Sequence, residues 1–168
     1  MQLIEIDKPR YRRHLNIVIA VCIVSLAIGS LGIAQILIQL FPDESGSHFH
    51  WNLLGVVVSA LLIGLALTKL RTHNFMTEVV YVWDLKQTLN KINRKMLRIK
   101  ARALEGNANA ILALQYSCAG SRLLWQLDDN TIIMDELAVE QARVDSLANE
   151  FNVKTNVDEF ALAILDDF

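Results

Sequence analysis

Residues 15–41 read LNIVIAVCIVSLAIGSLGIAQILIQLF, and residues 51–68 read WNLLGVVVSALLIGLALT. Neither run holds a charged side chain. Lys and Arg are absent from His14 through Thr68, although the chain carries 16 of them. At about 1.5 Å per residue, a helix of the first run is about 40 Å long and of the second about 27 Å. The hydrocarbon core of a bilayer is about 30 Å thick, so both runs can cross it, the first with tilt or overhang. A lone apolar run is also how a buried core helix reads. Two in tandem, flanked asymmetrically by charge, favour spans.

Between them lies Pro42-Asp-Glu-Ser-Gly-Ser-His-Phe-His50, whose proline, glycine and serines mark a tight turn. So short a connection holds no domain, and the pair reads as a helical hairpin. Lys8, Arg10, Arg12 and Arg13 precede the first run as they would a secretory signal. A signal's apolar region is only about 7–15 residues long, however, which favours an uncleaved anchor. The N-terminal flank carries four cations, the turn none, and residues 69–102 nine. By the positive-inside rule both termini face the cytoplasm, and Asp43 and Glu44 face the other side. Phe41, Phe49 and Trp51 fall where an interfacial aromatic belt would sit, with Tyr11 at the inner side.

Composition agrees. Of 168 residues, 53% are hydrophobic and 20% charged, and the mean hydropathy is +0.32. Soluble domains lie nearer roughly 45–50% apolar and 25% charged. A disordered chain is excluded, and two cysteines exclude a disulfide scaffold. The net charge of −2 calls for no polyionic partner.

The charge-free spans disfavour a pump or carrier, which needs ionisable groups in the membrane. Small residues recur instead. Cys22, Ser25, Gly29 and Gly32 follow 3, 4, 3 spacing, continued by Gln39; the second span has Gly55/Ser59 and Ala60/Gly64. Small side chains let backbones approach closely in lipid. The membrane-packing candidates are therefore Ser25, Gly29, Gly32, Gly55, Ser59 and Gly64. They serve either to pack the two spans on each other or to recruit another protein or copy.

Beyond the second span, His73 to Leu104 has neither proline nor glycine. Val82, Leu85, Leu89, Ile92, Met96, Ile99 and Ala103 recur at alternating spacings of 3 and 4, a heptad seam that asks for another helix. Glu105-Gly106-Asn107 ends that helix. Asn107 to Leu127 is apolar nearly all round, as a central bundle helix is. Asp128-Asp129-Asn130-Thr131 is a polar turn. Ile133, Leu137, Glu140, Val144, Leu147 and Phe151 mark a third helix with one polar interruption. Thr155 with Asp158 resembles a capping box opening a short last helix through Val157, Phe160 and Ile164. The fold class is all-α: a two-span transmembrane hairpin followed by a small cytoplasmic bundle of three to four helices. The organisation is a basic N-terminal segment (1–14), first transmembrane helix (15–41), periplasmic turn (42–50), second transmembrane helix (51–70) and bundle (71–168).

Charge divides within the bundle. Residues 69–104 hold nine basic and two acidic side chains, a balance of +7; residues 105–168 hold three and twelve, a balance of −9. Lys91, Arg94, Lys95, Arg98 and Arg102 flank the seam. They meet either the acidic helices folded back upon them, in exposed pairs contributing about 0–1 kcal/mol each, or anionic lipid headgroups. Nucleic acid is the weakest reading, because no reading motif accompanies the charge.

No Gly-rich phosphate loop, Gly-x-Ser-x-Gly elbow, His-Glu-x-x-His or Cys-x-x-Cys is present, so no catalytic residue or cofactor is assigned and the chain is read as a non-enzyme. Cys22 and Cys118 read as small buried hydrophobes. Asp43, Glu44, His48 and His50 are the one metal-ligand candidate set, since imidazole and carboxylate together bind zinc or copper; a plain hydrophilic turn selects the same residues. His14 and His73 flank the inner membrane face.

Arg-His-Leu-Asn at 13–16, Asn-Leu-Leu-Gly at 52–55, the run His73-Asn-Phe-Met-Thr-Glu-Val-Val-Tyr-Val-Trp-Asp-Leu-Lys86 and Leu-Asp-Asp-Asn-Thr at 127–131 resemble a family of small gammaproteobacterial inner-membrane proteins catalogued only as a domain of unknown function. The resemblance covers nearly the whole chain and implies two spans in a bacterial inner membrane. It carries over no catalytic or ligand residue. Phe75 to Lys86, with Tyr81 and Trp83, is either a partner surface or core. The expected role is that of a scaffold, accessory subunit or regulator acting through protein contacts, with a protein partner or a second copy. The alternative is a membrane sensor whose outer turn binds a metal or a proton.

Overall fold

The computed structural model describes residues 2–42, 46–130 and 134–168. Among these, the α-helices are α1 (Lys8–Leu40), α2 (Phe49–Leu70), α3 (Thr77–Leu104), α4 (Ala108–Leu127) and α5 (Met134–Glu150). Short 3-10 segments cover Asn74–Met76, Val157–Glu159 and Leu162–Asp167. No strand occurs among the described residues, and the class is all-α. The chain forms two compact units, residues 9–80 and residues 2–8 with 81–168, and α3 runs from the first into the second.

In the first unit α1 and α2 are long and apolar enough to cross a membrane. Pro9 sits in the first turn of α1, where its missing N–H costs nothing, and Pro42 lies just beyond the helix end. The apolar side chains of both helices mostly point outward: Ile28 is 69% exposed, Leu31 67% and Leu61 64%. Buried positions are few, namely Tyr11, His14 and Ala34 on α1 and Gly55 and Ser59 on α2. Tyr11 is thus enclosed rather than presented at an interface.

The second unit has a conventional core. Every position of the expected α3 seam except Met96, which is half-buried, lies in the interior. On α4 the buried residues run round the helix, from Ala110 and Ile111 through Tyr116, Cys118 and Gly120 to Leu127. A Cβ on Gly120 would stand 3.1 Å from Leu89 and 3.3 Å from Leu85, so the two helices cross closely there. α5 adds Leu137, Val144 and Ala148.

Left-handed residues end α3, α4 and α5. Gly106 has φ +80°; its N–H reaches Ala103 O at 3.0 Å, and the Asn107 N–H reaches Arg102 O at 3.1 Å. These two bonds satisfy carbonyls that the end of α3 would otherwise leave open. Asn107 then caps α4 by accepting from the Ala110 N–H. Asp129 (φ 55°) and Asn152 (φ 51°) play the left-handed role after α4 and α5. Phe151 lies past the end of α5, and Ile133 falls outside the described residues.

The last segment differs from expectation. Asn156, not Thr155, caps it, accepting from the Asp158 N–H at 3.1 Å, while the Thr155 hydroxyl donates to Gln115 Oε1. No α-helix follows. Phe160 turns extended (ψ 122°) and stacks its ring on Tyr116 at 4.1 Å between centroids, and this burial divides the segment into two 3-10 pieces. At the other terminus the Ile4 N–H donates to the Tyr81 hydroxyl at 2.8 Å, which donates to Gln2 O at 3.1 Å, and Lys8 pairs with Asp129. The N-terminal residues are thereby fastened to the bundle.

Candidate functional site

The hairpin seam is built from small residues, but only some of those expected. A Cβ on Gly29 would stand 2.9 Å from Ser59 Oγ, and one on Gly55 would stand 2.6 Å from Ser30 O and 3.1 Å from Ala34 N. Gly29, Gly55 and Ser59 are thus where α1 and α2 touch. Gly32 and Gly64 meet nothing within 4 Å, and Ser25 is exposed. Residues 29 and 32 stand about 60° apart round the helix, enough to put one on the seam and the other off it. Ser59 Oγ is buried without a hydrogen-bond partner among the described residues.

At the far end Phe41 and Trp51 stack at 5.6 Å, and His50 lies 4.6 Å from Trp51. Of the four metal-ligand candidates, Asp43 and Glu44 fall outside the described residues. Among those described, no group of three or more His, Cys, Asp or Glu side chains is placed to hold a metal ion.

The foot of the hairpin holds an organised polar cluster, and its centre, Glu78, is not among the candidates the sequence offers. Glu78, on the first turn of α3, takes Arg10 Nε at 2.8 Å on one oxygen and His14 Nδ1 at 3.3 Å on the other. His14 and Glu78 are nearly enclosed, with side chains 8% and 13% exposed, while Arg10 is half in solvent. The His14 ring packs on Phe75, centroids 4.1 Å apart. The signal was Arg10 and His14 on one helical face, with Glu78 the one carboxylate between Lys69 and Trp83. His73 opens the 3-10 turn, its Nδ1 accepting the Phe75 N–H at 3.2 Å. Beside this cluster is a slot of about 240 Å³, walled by Ile17, Val18, Val21 and Cys22 of α1, Leu67 and Leu70 of α2, and His73, Phe75 and Met76.

In the bundle the basic residues are divided in use. Lys95 Nζ donates to Leu165 O at 2.7 Å and Arg98 to Phe168 O at 2.8 Å, so two cations hold backbone carbonyls of the C-terminal segment. Arg102 pairs with Glu105 at 3.1 Å, and Lys91 and Arg94 are exposed. Pairs between the basic and acidic parts come from Lys86 with Asp128 at 3.3 Å and Lys100 with Glu140 at 2.6 Å. The Lys100–Glu140 pair edges a groove of about 340 Å³ that Cys118, Ser117, Ser121, Trp125 and Glu136 also line. Burial first, then Glu140 and Asp145, push the Cys118 thiol up to about 11, so it is a poor nucleophile near neutrality. Phe75, Tyr81 and Trp83 part company: Phe75 packs on His14, Tyr81 binds the N-terminal segment, and Trp83 is 60% exposed.

These features define an all-α protein in which a long apolar helical hairpin is continuous, through one helix, with a small bundle. The chain belongs to the family described as "Protein of unknown function (DUF3087)", whose model matches residues 1–165. No curated protein and no solved structure matches it.

Proposed function

We propose that this is an integral protein of a bacterial inner membrane, crossing it twice with both termini in the cytoplasm. Its bundle would serve as a non-enzymatic scaffold, accessory subunit or regulator. The observation that carries the membrane reading is the outward apolar surface of α1 and α2, with Ile28, Leu31 and Leu61 each well over half exposed. A soluble protein rarely leaves so large a contiguous apolar surface in water, whereas lipid solvates it. The orientation draws support from the cations at 8–13 and 69–102 and from the fastening of residues 2–4 to Tyr81, which keeps the N-terminus with the bundle.

The contact role draws on the outer face of α3. Its heptad seam is consumed within the bundle, yet Trp83, Leu97 and Leu104, spaced by multiples of seven on the same helix, are 60%, 87% and 57% exposed. Apolar side chains on a basic helix suit an interface. A reporter inserted at Gly46 is expected to be active only outside the cytoplasm, and activity in the cytosol would overturn the topology. A photo-crosslinker at Leu97, activated in native membranes and read by mass spectrometry, is expected to capture a discrete partner or a second copy. Only a monomer in every preparation would remove the scaffold role.

A further inference from the structure

The slot at the foot of the hairpin has the volume of several water molecules, since one takes about 30 Å³ in the liquid. Water is a poor tenant for it. The slot is open on one side, with Ile17, Val21 and Leu70 43%, 57% and 48% exposed, and its walls of aliphatic and aromatic carbon, the Cys22 sulfur and His73 give water few polar partners. An apolar occupant is called for.

Charge says what that occupant carries. Among the lining residues, Ile17 stands one helical turn after Arg13 and Leu70 directly follows Lys69. Between Pro9 and Val80 the basic side chains are Arg10, Arg12, Arg13, Lys69 and Arg71, all at the same end of the hairpin. The carboxylate at that end is Glu78, already taken by Arg10 and His14. His73 accepts the Phe75 N–H at Nδ1, which leaves the proton of a neutral ring on Nε2 as a donor. An apolar slot at the cationic end of the hairpin fits one amphiphile in particular, a chain with a negative head.

We infer that the slot is a binding site for one anionic glycerophospholipid, an acyl chain lying among Val18, Cys22, Leu67 and Met76 and the phosphate beside Arg13, Lys69 and His73. This rests on the membrane reading above and deepens it. The lipid would bridge α1, α2 and the turn leading into α3, coupling the hairpin foot to the composition of the inner leaflet.

The test uses the full-length protein extracted in mild detergent, stripped of lipid, and titrated with dioleoyl phosphatidylglycerol or dioleoyl phosphatidylcholine under native mass spectrometry. The expected result is a single retained phosphatidylglycerol, held roughly tenfold more tightly than phosphatidylcholine, as two or three surface cations allow. Cys22→Trp, which fills the slot, is expected to abolish that retention, and the double variant Arg13→Gln/Lys69→Gln to erase the preference while leaving weak binding of both lipids. Should Cys22→Trp fail to fold, Val21→Trp at the slot wall serves instead. Equal retention of the two lipids, or selective retention that survives the slot-filling variant, overturns the inference. Alkaline carbonate extraction separates the two failures. Protein that stays in the membrane pellet without lipid preference refutes the lipid site alone, whereas protein released to the supernatant refutes the membrane reading and the site with it.

Discussion

Gly55 on α2 lies so close to Ser30 on α1 that a Cβ at Gly55 would stand 2.6 Å from the Ser30 carbonyl oxygen. The obstacle is backbone and cannot rotate away, so any side chain must push the helices apart. Gly55→Ala is expected to lower the stability of the hairpin by about 1–3 kcal/mol, the usual cost of overpacking. Gly64→Ala, on the same helix with nothing within 4 Å, is expected to change it by less than about 0.5 kcal/mol. Thermal unfolding of both variants in the same detergent checks the contrast, and equal effects would mean that Gly55 is not at the seam.

Gly106 faces two demands at once. Its φ of +80° is one that L side chains adopt with strain, and a Cβ there would fall 2.5 Å from Cδ1 of Phe151. Gly106→Ala is expected to cost about 1–3 kcal/mol for the backbone alone. Truncating the ring relieves the second demand but not the first. In a Phe151→Ala background the Gly106→Ala penalty should therefore shrink without vanishing, which a double-mutant cycle by urea unfolding measures.

The sequence signals that succeeded were those carried by periodicity or by backbone chemistry. The two uncharged runs became α1 and α2, the 3–4 spacing from Val82 to Ala103 became a buried seam, and Gly106 closed α3. What was illegible depended on partners far along the chain. Ile4 meets Tyr81 across 77 residues, and Lys95 and Arg98 find backbone carbonyls, which every residue owns and no pattern marks. Thr155 has the pattern of a cap yet bonds Gln115, 40 residues away, and Asn156 beside it caps the segment instead. Among the small residues, spacing showed which share a helix but not which side turns inward.

Tyr116 is fully buried, stacked on Phe160, and its hydroxyl has no hydrogen-bond partner among the described residues. An unpartnered buried hydroxyl costs free energy, so Tyr116→Phe is expected to leave stability unchanged or raise it by about 1 kcal/mol, while Tyr116→Ala loses about 3–5 kcal/mol of packing. Burial, with a smaller contribution from Tyr81, pushes the phenol up to about 12. A raised folded value means that the folded chain keeps the proton which the unfolded chain gives up. The stability tied to that proton is complete below about pH 10 and is lost as pH rises through about 12. Melting temperatures followed from pH 8 to 11.5 should fall less steeply for Tyr116→Phe than for the wild type, and parallel slopes would contradict the burial of the hydroxyl.

Glu78 joins the Arg10 guanidinium and the His14 imidazole, two groups of unlike surroundings, and the difference sets the size of each effect. Arg10 is 53% exposed, so its pair with Glu78 is screened, and a double-mutant cycle on Arg10 and Glu78 is expected to give a coupling of about 0.2–1 kcal/mol that weakens with salt. His14 is enclosed against Phe75, and its Nδ1 has Glu78 Oε2 at 3.3 Å. Removing the carboxylate in Glu78→Ala leaves that nitrogen buried without its acceptor, a penalty of about 1–3 kcal/mol that salt does not screen. Glu78→Gln keeps an oxygen for the imidazole N–H while giving up the charge, so it should lose most of the coupling to Arg10 and little of the rest. Thermal unfolding at low and high salt distinguishes the two. If Glu78→Ala and Glu78→Gln lose the same stability, and salt removes the loss in both, then His14 takes no support from Glu78 and the foot of the hairpin is held by its charge alone.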